Sequence, residues 1–198
     1  MAEHQSTDNV VRRRTARRTL TLLALVCTAP VVASYVAYYW LRPETRTNYG
    51  ELLQAASVPE LEGTRLDGAP FRLSELHGRW IVLIAAGMDC DATCERKLYA
   101  TRQARTIQGR EQDRIVRVLL QPKGAAPLPT ELSAAHPGMI VVRGDSQQWQ
   151  ALPGPGGAAA NVYLIDPHGN LVLRYAADPD IRGLAKDLER VLRASRIG

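Results

Sequence analysis

The sequence predicts an α/β fold with a mixed central sheet, preceded by one N-terminal membrane-spanning helix. Three observations carry this expectation. Leu20 through Leu41 holds no charged residue. Between Trp80 and Leu120, two apolar strand-like runs flank a segment of helical periodicity, the pattern of strands joined through a helix. The chain then closes on two short apolar runs, Asn161–Ile165 and Leu171–Tyr175, and a terminal amphipathic segment, adding a strand pair and a helix.

The 22 positions of Leu20–Leu41 span about 33 Å as a helix, enough for a bilayer core. Just before them comes Arg12-Arg-Arg-Thr-Ala-Arg-Arg18, and five arginines on one side assign that side to the cytoplasm. The expected arrangement is a single-pass protein of the bacterial inner membrane with its N-terminus cytoplasmic and its C-terminal domain periplasmic. A cleaved signal peptide is the alternative, since Val31-Val-Ala33 offers small-residue cleavage chemistry. The apolar run, however, continues through Tyr35, Tyr38, Tyr39 and Trp40, an aromatic cluster of the kind found at a membrane interface, which favours a retained anchor. Arg17-Arg18 before Thr19-Leu20 loosely resembles a twin-arginine signal, although basic leaders often hold such pairs. Pro30 sits mid-span, where a membrane helix tolerates it with at most a kink.

The formal charge of +5 is mostly a topology signal. Five arginines against Glu3 and Asp8 account for +3 of it before residue 20, and the remainder is nearly balanced. No basic patch with interleaved aromatics is left to argue for nucleic acid. Of the three cysteines, Cys27 falls within the span and reads as a small apolar residue. Cys90 and Cys94 face an oxidising compartment if the topology holds.

The expected organisation is a basic tail at 1–19, the anchor at 20–41, a polar tether at 42–57 and a folded domain at 58–198, whose start could fall as early as Gly50. Within it, Gly63–Leu73 reads as a hairpin turning at Asp67-Gly68, and Ser74–Gly78 as a bend before a buried strand, Trp80–Ala86. Helical spacing then runs from Cys94 through Leu98 and Thr101 to Ile107, closed by Gly109. Further strands are expected at Arg114–Leu120 and Gly138–Val142, with short helices at Glu131–Ala135 and Asp145–Leu152. Pro153–Gly157 is a loop. Asp166-Pro-His-Gly-Asn170 turns the final hairpin, and Ile181, Leu184, Leu188, Val191 and Leu192 share one face of the last helix.

A buried strand ending in two thiols, with a helix following, is the layout of a thioredoxin-type site, and the order of elements fits a thioredoxin-like fold. The spacing is C-x3-C rather than the C-x2-C of redox thioredoxins. That extra residue leaves metal ion and disulfide both open.

From about Val58 to Leu192 the chain resembles the Sco family of membrane-anchored, thioredoxin-like proteins that help build the copper centre of cytochrome c oxidase. The resemblance rests on Leu66-Asp-Gly68, Leu73-Ser-Glu-Leu-His-Gly-Arg-Trp-Ile-Val-Leu83, the Cys90/Cys94 pair and Tyr163-Leu-Ile-Asp-Pro-His-Gly169. Thr47-Asn-Tyr-Gly-Glu-Leu-Leu53 also looks like small Sco-like membrane proteins encoded with oxidase genes in some proteobacteria. The resemblance implies a copper site of the two cysteines plus a His five residues before the Tyr of the last motif, and as partners an oxidase subunit or a copper chaperone. Here that third position is Ala158. The family also tends to place Pro after each motif Cys, where this chain has Asp91 and Glu95, and its acidic segment after the second core strand is replaced by Gln121-Pro-Lys-Gly124.

No histidine offers an obvious replacement. His77 and His168 are expected at the far end of the sheet from the thiols, His136 in an exposed loop beside Pro137, and His4 on the cytoplasmic side. The thioether of Met88, two residues before Cys90, is a soft donor suited to Cu(I), with loop packing as the plainer role. If Cys94 opens a helix, unpaired N–H groups there favour its thiolate. Asp89, Asp91 and Glu95 oppose it, and Arg96 and Lys97 partly offset them.

Three functions follow for Cys90 and Cys94. They exchange thiol for disulfide on an oxidase subunit or copper chaperone, or they carry Cu(I) as two thiolates, or they form an inert disulfide in a binding module. Peroxidase chemistry of the peroxiredoxin kind needs a Pro-x3-Thr-x2-Cys pattern, which the run ending in Cys90 lacks. Phosphate-binding glycine loops, Ser/His/Asp constellations and His-Glu-x-x-His motifs are absent from the sequence.

Overall fold

The computed structural model describes residues 3–40 and 48–195 and divides the chain into two units, Met1–Arg46 and Thr47–Gly198. The first is one helix, α1 (Glu3–Trp40), unbroken at Pro30. Its stretch Arg17–Tyr39 is long and apolar enough to cross a membrane by length and composition, and none of that stretch is buried within the unit. Thr21 and Thr28 turn their hydroxyls back to the carbonyls of Arg17 and Ala24, which satisfies both groups without water. Residues 42–47 of the expected tether lie outside the described residues.

The second unit is a mixed eight-stranded sheet in the order β1-β8-β7-β4-β5-β6-β2-β3. Its elements are β1 (Glu51–Ser57), the hairpin β2 (Glu62–Arg65) and β3 (Pro70–Arg72), β4 (Trp80–Ala85), α2 (Ala92–Ile107), β5 (Ile115–Pro122), α3 (Thr130–Ala134), β6 (Met139–Gly144), α4 (Gln147–Gln150), β7 (Asn161–Ile165), β8 (Asn170–Ala176) and α5 (Ile181–Ala194). β4, β5 and β6 run parallel, and every other pairing is antiparallel.

β4 is buried along its whole length because both sheet faces are covered there. Trp80, Val82, Ile84 and Ala86 pack with Leu98 of α2 and Leu184 and Leu188 of α5. Ile81, Leu83 and Ala85 point the other way, toward Phe71, Leu76 and Trp149. Each fully buried leucine contributes about 1.5–3 kcal/mol over an exposed one, which fixes α2 against the sheet and with it the Cys loop. Gly109, at φ +58, ends α2 in the left-handed conformation that glycine adopts without strain.

One boundary needs correction. Glu51–Ser57, expected within the 42–57 tether, is the edge strand β1, so the ordered domain begins before residue 58. Its register on β8 shifts between Leu52 and Ala56, and neither Glu51-Leu-Leu-Gln-Ala-Ala-Ser57 nor an edge position carries the alternation that marks a strand. Contacts from far along the chain hold it instead. The backbone N–H groups of Tyr49 and Gly50 donate to the carboxylate of Asp187 on α5, at 3.1 and 2.7 Å. Tyr49 stacks on Tyr175 at 6.0 Å, and Glu51 pairs with Arg174.

Candidate redox site

β4 delivers the chain to the edge of the helix-covered face, and residues 86–91 connect it to α2. Two backbone bonds pin this loop: Ala86 N–H donates to the Leu120 carbonyl at 2.9 Å, and Ala126 N–H donates to the Met88 carbonyl at 3.0 Å. α2 starts at Ala92, two residues earlier than the sequence suggested. Asp91 is its N-cap, with extended backbone and Oδ1 accepting the Cys94 N–H at 2.9 Å. Aspartate is among the best residues for this, because its short carboxylate reaches the third helical N–H. Cys94 is therefore that third residue, inside the first turn rather than at its opening. Its own N–H is already satisfied by a carboxylate, so the helix terminus favours its thiolate less than expected.

Cys90 and Cys94 form a disulfide with their Cα atoms 5.1 Å apart. The two sulfurs are not equivalent. Cys94 is 3% exposed and packs in the core with Ala86 and Leu98, whereas Cys90 is partly exposed. An incoming thiolate can reach Cys90, and Cys94 is then the leaving group.

Lys97, expected with Arg96 to offset the acidic groups near the thiols, is 1% exposed. It follows Cys94 by three residues and lies on the buried stripe with Leu98 and Thr101. Its Nζ donates to the carbonyls of Ala85 at 2.9 Å and Ala159 at 2.5 Å. Burial lowers its pKa from the ordinary lysine value, and the charge of Asp91 opposes that shift. Beside it opens a cleft of about 330 Å³ whose lining includes Asp89, Asp91, Cys94, Lys97 and Ala159.

The position where the family resemblance implies a third copper ligand gives none. Ala158 lies in a 3₁₀ turn, Ala158–Ala160, buried with Tyr163 and Leu83 among the residues of the opposite sheet face. Met88 is 53% exposed on the loop, and its carbonyl rather than its sulfur is engaged. His77 packs near the β7–β8 turn that carries His168, a Cβ built on Gly169 standing 2.8 Å from its Nε2. That end of β4 is about 20 Å from the Cys loop at about 3.3 Å per residue. His4 lies in α1, in the other unit. His136 corrects the sequence reading: it is 5% exposed, and its Nδ1 is 3.2 Å from Nη2 of the buried Arg117. Among the described residues no group of three or more His, Cys, Asp or Glu could hold a metal ion. The soft donors that the fold brings together here are the two cysteine sulfurs, and they would be free as thiolates only once the disulfide is reduced.

Asp91 and Lys97 have roles at the site that sequence reasoning, which took them only as charges near the thiols, missed. Both had signals: a capping residue three before Cys94, and a lysine in register with the apolar positions of α2.

Comparisons with known proteins agree with this geometry. A protein of Stutzerimonas stutzeri named for copper binding is 28% identical over an alignment of 202 positions that spans 90% of this chain and 96% of that protein. Among solved structures, apo Sco1 of Thermus thermophilus aligns with a TM-score of 0.61 at 21% identity, over 75% of this chain and 99% of its own. Copper-bound ScoI of Arabidopsis thaliana aligns with a TM-score of 0.57 at 18% identity, over 71% of this chain and all of its own. At these identities the solved structures establish the fold, which is the one that the sequence resemblance implied. A family model described as a transmembrane-like, thioredoxin-like, C-terminal domain matches residues 80–195, more than half of the chain. The chain belongs to that family of thioredoxin-like domains.

Proposed function

We propose that this chain is a membrane-anchored, periplasm-facing thiol–disulfide exchange protein that acts in assembling the copper centre of cytochrome c oxidase. The observation that carries the reading is the asymmetry of the Cys90–Cys94 disulfide, one sulfur reachable and the other buried. α1 supports the anchor, and the arginines before it support an inner-membrane orientation with the domain outside the cytoplasm. The resemblance to Sco proteins supports the pathway.

Two exchanges complete a cycle. A thiolate of a reduced donor pair attacks Cys90 Sγ, the Cys90–Cys94 bond breaks, and its electron pair leaves on Cys94. The donor's second thiolate then attacks the mixed disulfide, releasing Cys90 as a thiolate and leaving the donor oxidised. Cys90, now the nucleophile, attacks a disulfide of the client, an oxidase subunit or a copper chaperone. Cys94 resolves that mixed disulfide, restoring the Cys90–Cys94 bond and leaving the client with two thiols.

A second reading, Cu(I) carriage by the same two thiolates, is favoured by the relative named for copper binding. One set of measurements separates the two. Full-length protein with Cys27→Ala, held in detergent micelles, is challenged with an oxidised Cys-pair peptide and separately titrated with Cu(I) against a calibrated competitor. Exchange predicts that reduced Cys94→Ser traps a mixed disulfide and that Cys90→Ser does not. Tight one-to-one Cu(I) binding lost in both variants, with no exchange in the parent, would overturn it in favour of carriage. Oxidase assembly in cells undiminished by either variant would leave only a docking module.

A further inference from the structure

Breaking the Cys90–Cys94 bond puts a negative charge on a sulfur that is 3% exposed and packed among apolar side chains. An anion there is expensive unless a cation or hydrogen-bond donors face it. The first turn of α2 supplies little, since the Cys94 N–H is taken by Asp91 and that carboxylate adds a negative charge of its own. The charged side chains lining the cleft beside Cys94 are Asp89 and Asp91 from the loop and Lys97 from α2. β4 and the Ala158–Ala160 turn contribute carbonyls and small apolar groups, and Ala177 lines the remaining side. The exposed pair Arg96–Asp178 lies outside this lining.

Lys97 is costly where it is. An ammonium has three donors, and Lys97 gives one to Ala85 and one to Ala159, leaving the third without an acceptor among the described residues. No carboxylate forms an ion pair with it among the described residues, and the charge of Asp91 only opposes the lowering of its pKa by burial. In the oxidised protein its charge is under-compensated.

Resting on the exchange reading above, we infer that Lys97 is the positioning charge of the dithiol: it stabilises the Cys94 thiolate released when Cys90 is attacked, and so biases the couple toward the reduced form. Lys97 takes no part in bond making. It lowers the energy of the leaving group, which speeds reduction by an incoming thiolate and makes the disulfide more oxidising. The carboxylate of Asp91, in the same lining, works against it.

The test compares two variants of opposite sign in full-length protein with Cys27→Ala, in micelles. Lys97→Met removes the charge and keeps most of the stem. Asp91→Asn keeps a good cap and removes the opposing charge. The probe is dithiothreitol, both as redox buffer for the potential and as reductant for the rate. Lys97→Met is expected to shift the equilibrium at least tenfold toward the disulfide, about 30 mV more negative, and to slow reduction. Asp91→Asn is expected to move both in the reverse direction, and Lys97→Gln, which also removes the charge, takes the place of Lys97→Met should that variant fail to fold. A merely structural lysine predicts shifts of the same sign or none. The proposal is overturned if the parent exchanges normally while the lysine variant stays within twofold of it or shifts in the same direction as Asp91→Asn. A parent that does not exchange with dithiothreitol at all removes the exchange reading itself, and this inference with it.

Discussion

Replacing His136 with asparagine should flatten a defined part of the pH dependence of stability. His136 sits after α3, 5% exposed, with Nδ1 3.2 Å from Nη2 of Arg117, which also donates to the Leu98 carbonyl at 3.2 Å and lies 3.5 Å from the Met139 sulfur. Arg117 is 3% exposed and has no carboxylate partner among the described residues. Nδ1 must therefore accept, so the imidazole is neutral. Burial, then the charges of Arg117 and Arg102, push its pKa down from 6.5 to about 4. With the native value depressed, the unfolded chain binds the proton first as pH falls. The contribution of His136 is complete above pH 6.5 and is lost between there and about 4. At about 1.36 kcal/mol per unit, the loss amounts to about 3 kcal/mol at most. In His136→Asn the side-chain amide would keep a carbonyl oxygen for Arg117 and cannot titrate. Denaturant unfolding at a series of pH values from about 7.5 to 4.5, followed by fluorescence of the buried Trp80 and Trp149, should show parent and variant converging as the solution is acidified. A difference between them that stays constant across that range would refute the neutral, arginine-bound histidine.

Three further outcomes follow from single contacts. Asp187→Ala removes the acceptor of the Tyr49 and Gly50 N–H groups and should destabilise by about 2–3 kcal/mol, with faster amide exchange along β1 as the specific sign. Gly63→Val places a Cβ about 2.5 Å from Val142 and 2.6 Å from the Arg143 carbonyl, so the β2–β6 pairing must give way, and the melting temperature should fall accordingly. Asp91→Ala should lose about 1 kcal/mol of cap stability in denaturant unfolding, while Asp91→Asn stays within a few tenths.

The elements legible in the sequence were those whose pattern is local. β4, β5 and the β7–β8 hairpin carry apolar runs with strong turn chemistry between or beside them, and α5 shows its stripe without any tertiary knowledge. What escaped was set by partners far along the chain. β1 is a strand because β8 and Asp187 make it one. His136 looked like a loop residue beside a proline, and it is buried because Arg117, 19 positions earlier, comes up beneath α2 on the same sheet face. Lys97 followed the same logic. A lysine's charge favours the surface, whereas a position three residues after Cys94 lies on the buried stripe of α2. The second signal won because two carbonyls, Ala85 and Ala159, were in reach of a four-carbon stem.

The C-x3-C spacing takes on a different meaning once Asp91 is known to cap the helix. Cys90 stands just before the cap and Cys94 at the third helical position. Side chains in a helix lean toward its N-terminus, so the Cys94 sulfur projects back over the first turn toward Cys90. The pair closes through local geometry, and a third ligand is not needed to hold the sulfurs together. Where such a ligand would stand, Ala158 is folded into the packing of the other sheet face. Cu(I) carried on these two sulfurs would require a reductant to open the disulfide first, at Cys90, the partly exposed member of the pair. On either proposed function, reduction of the disulfide is the first step, and the groups that set its ease would govern both chemistries.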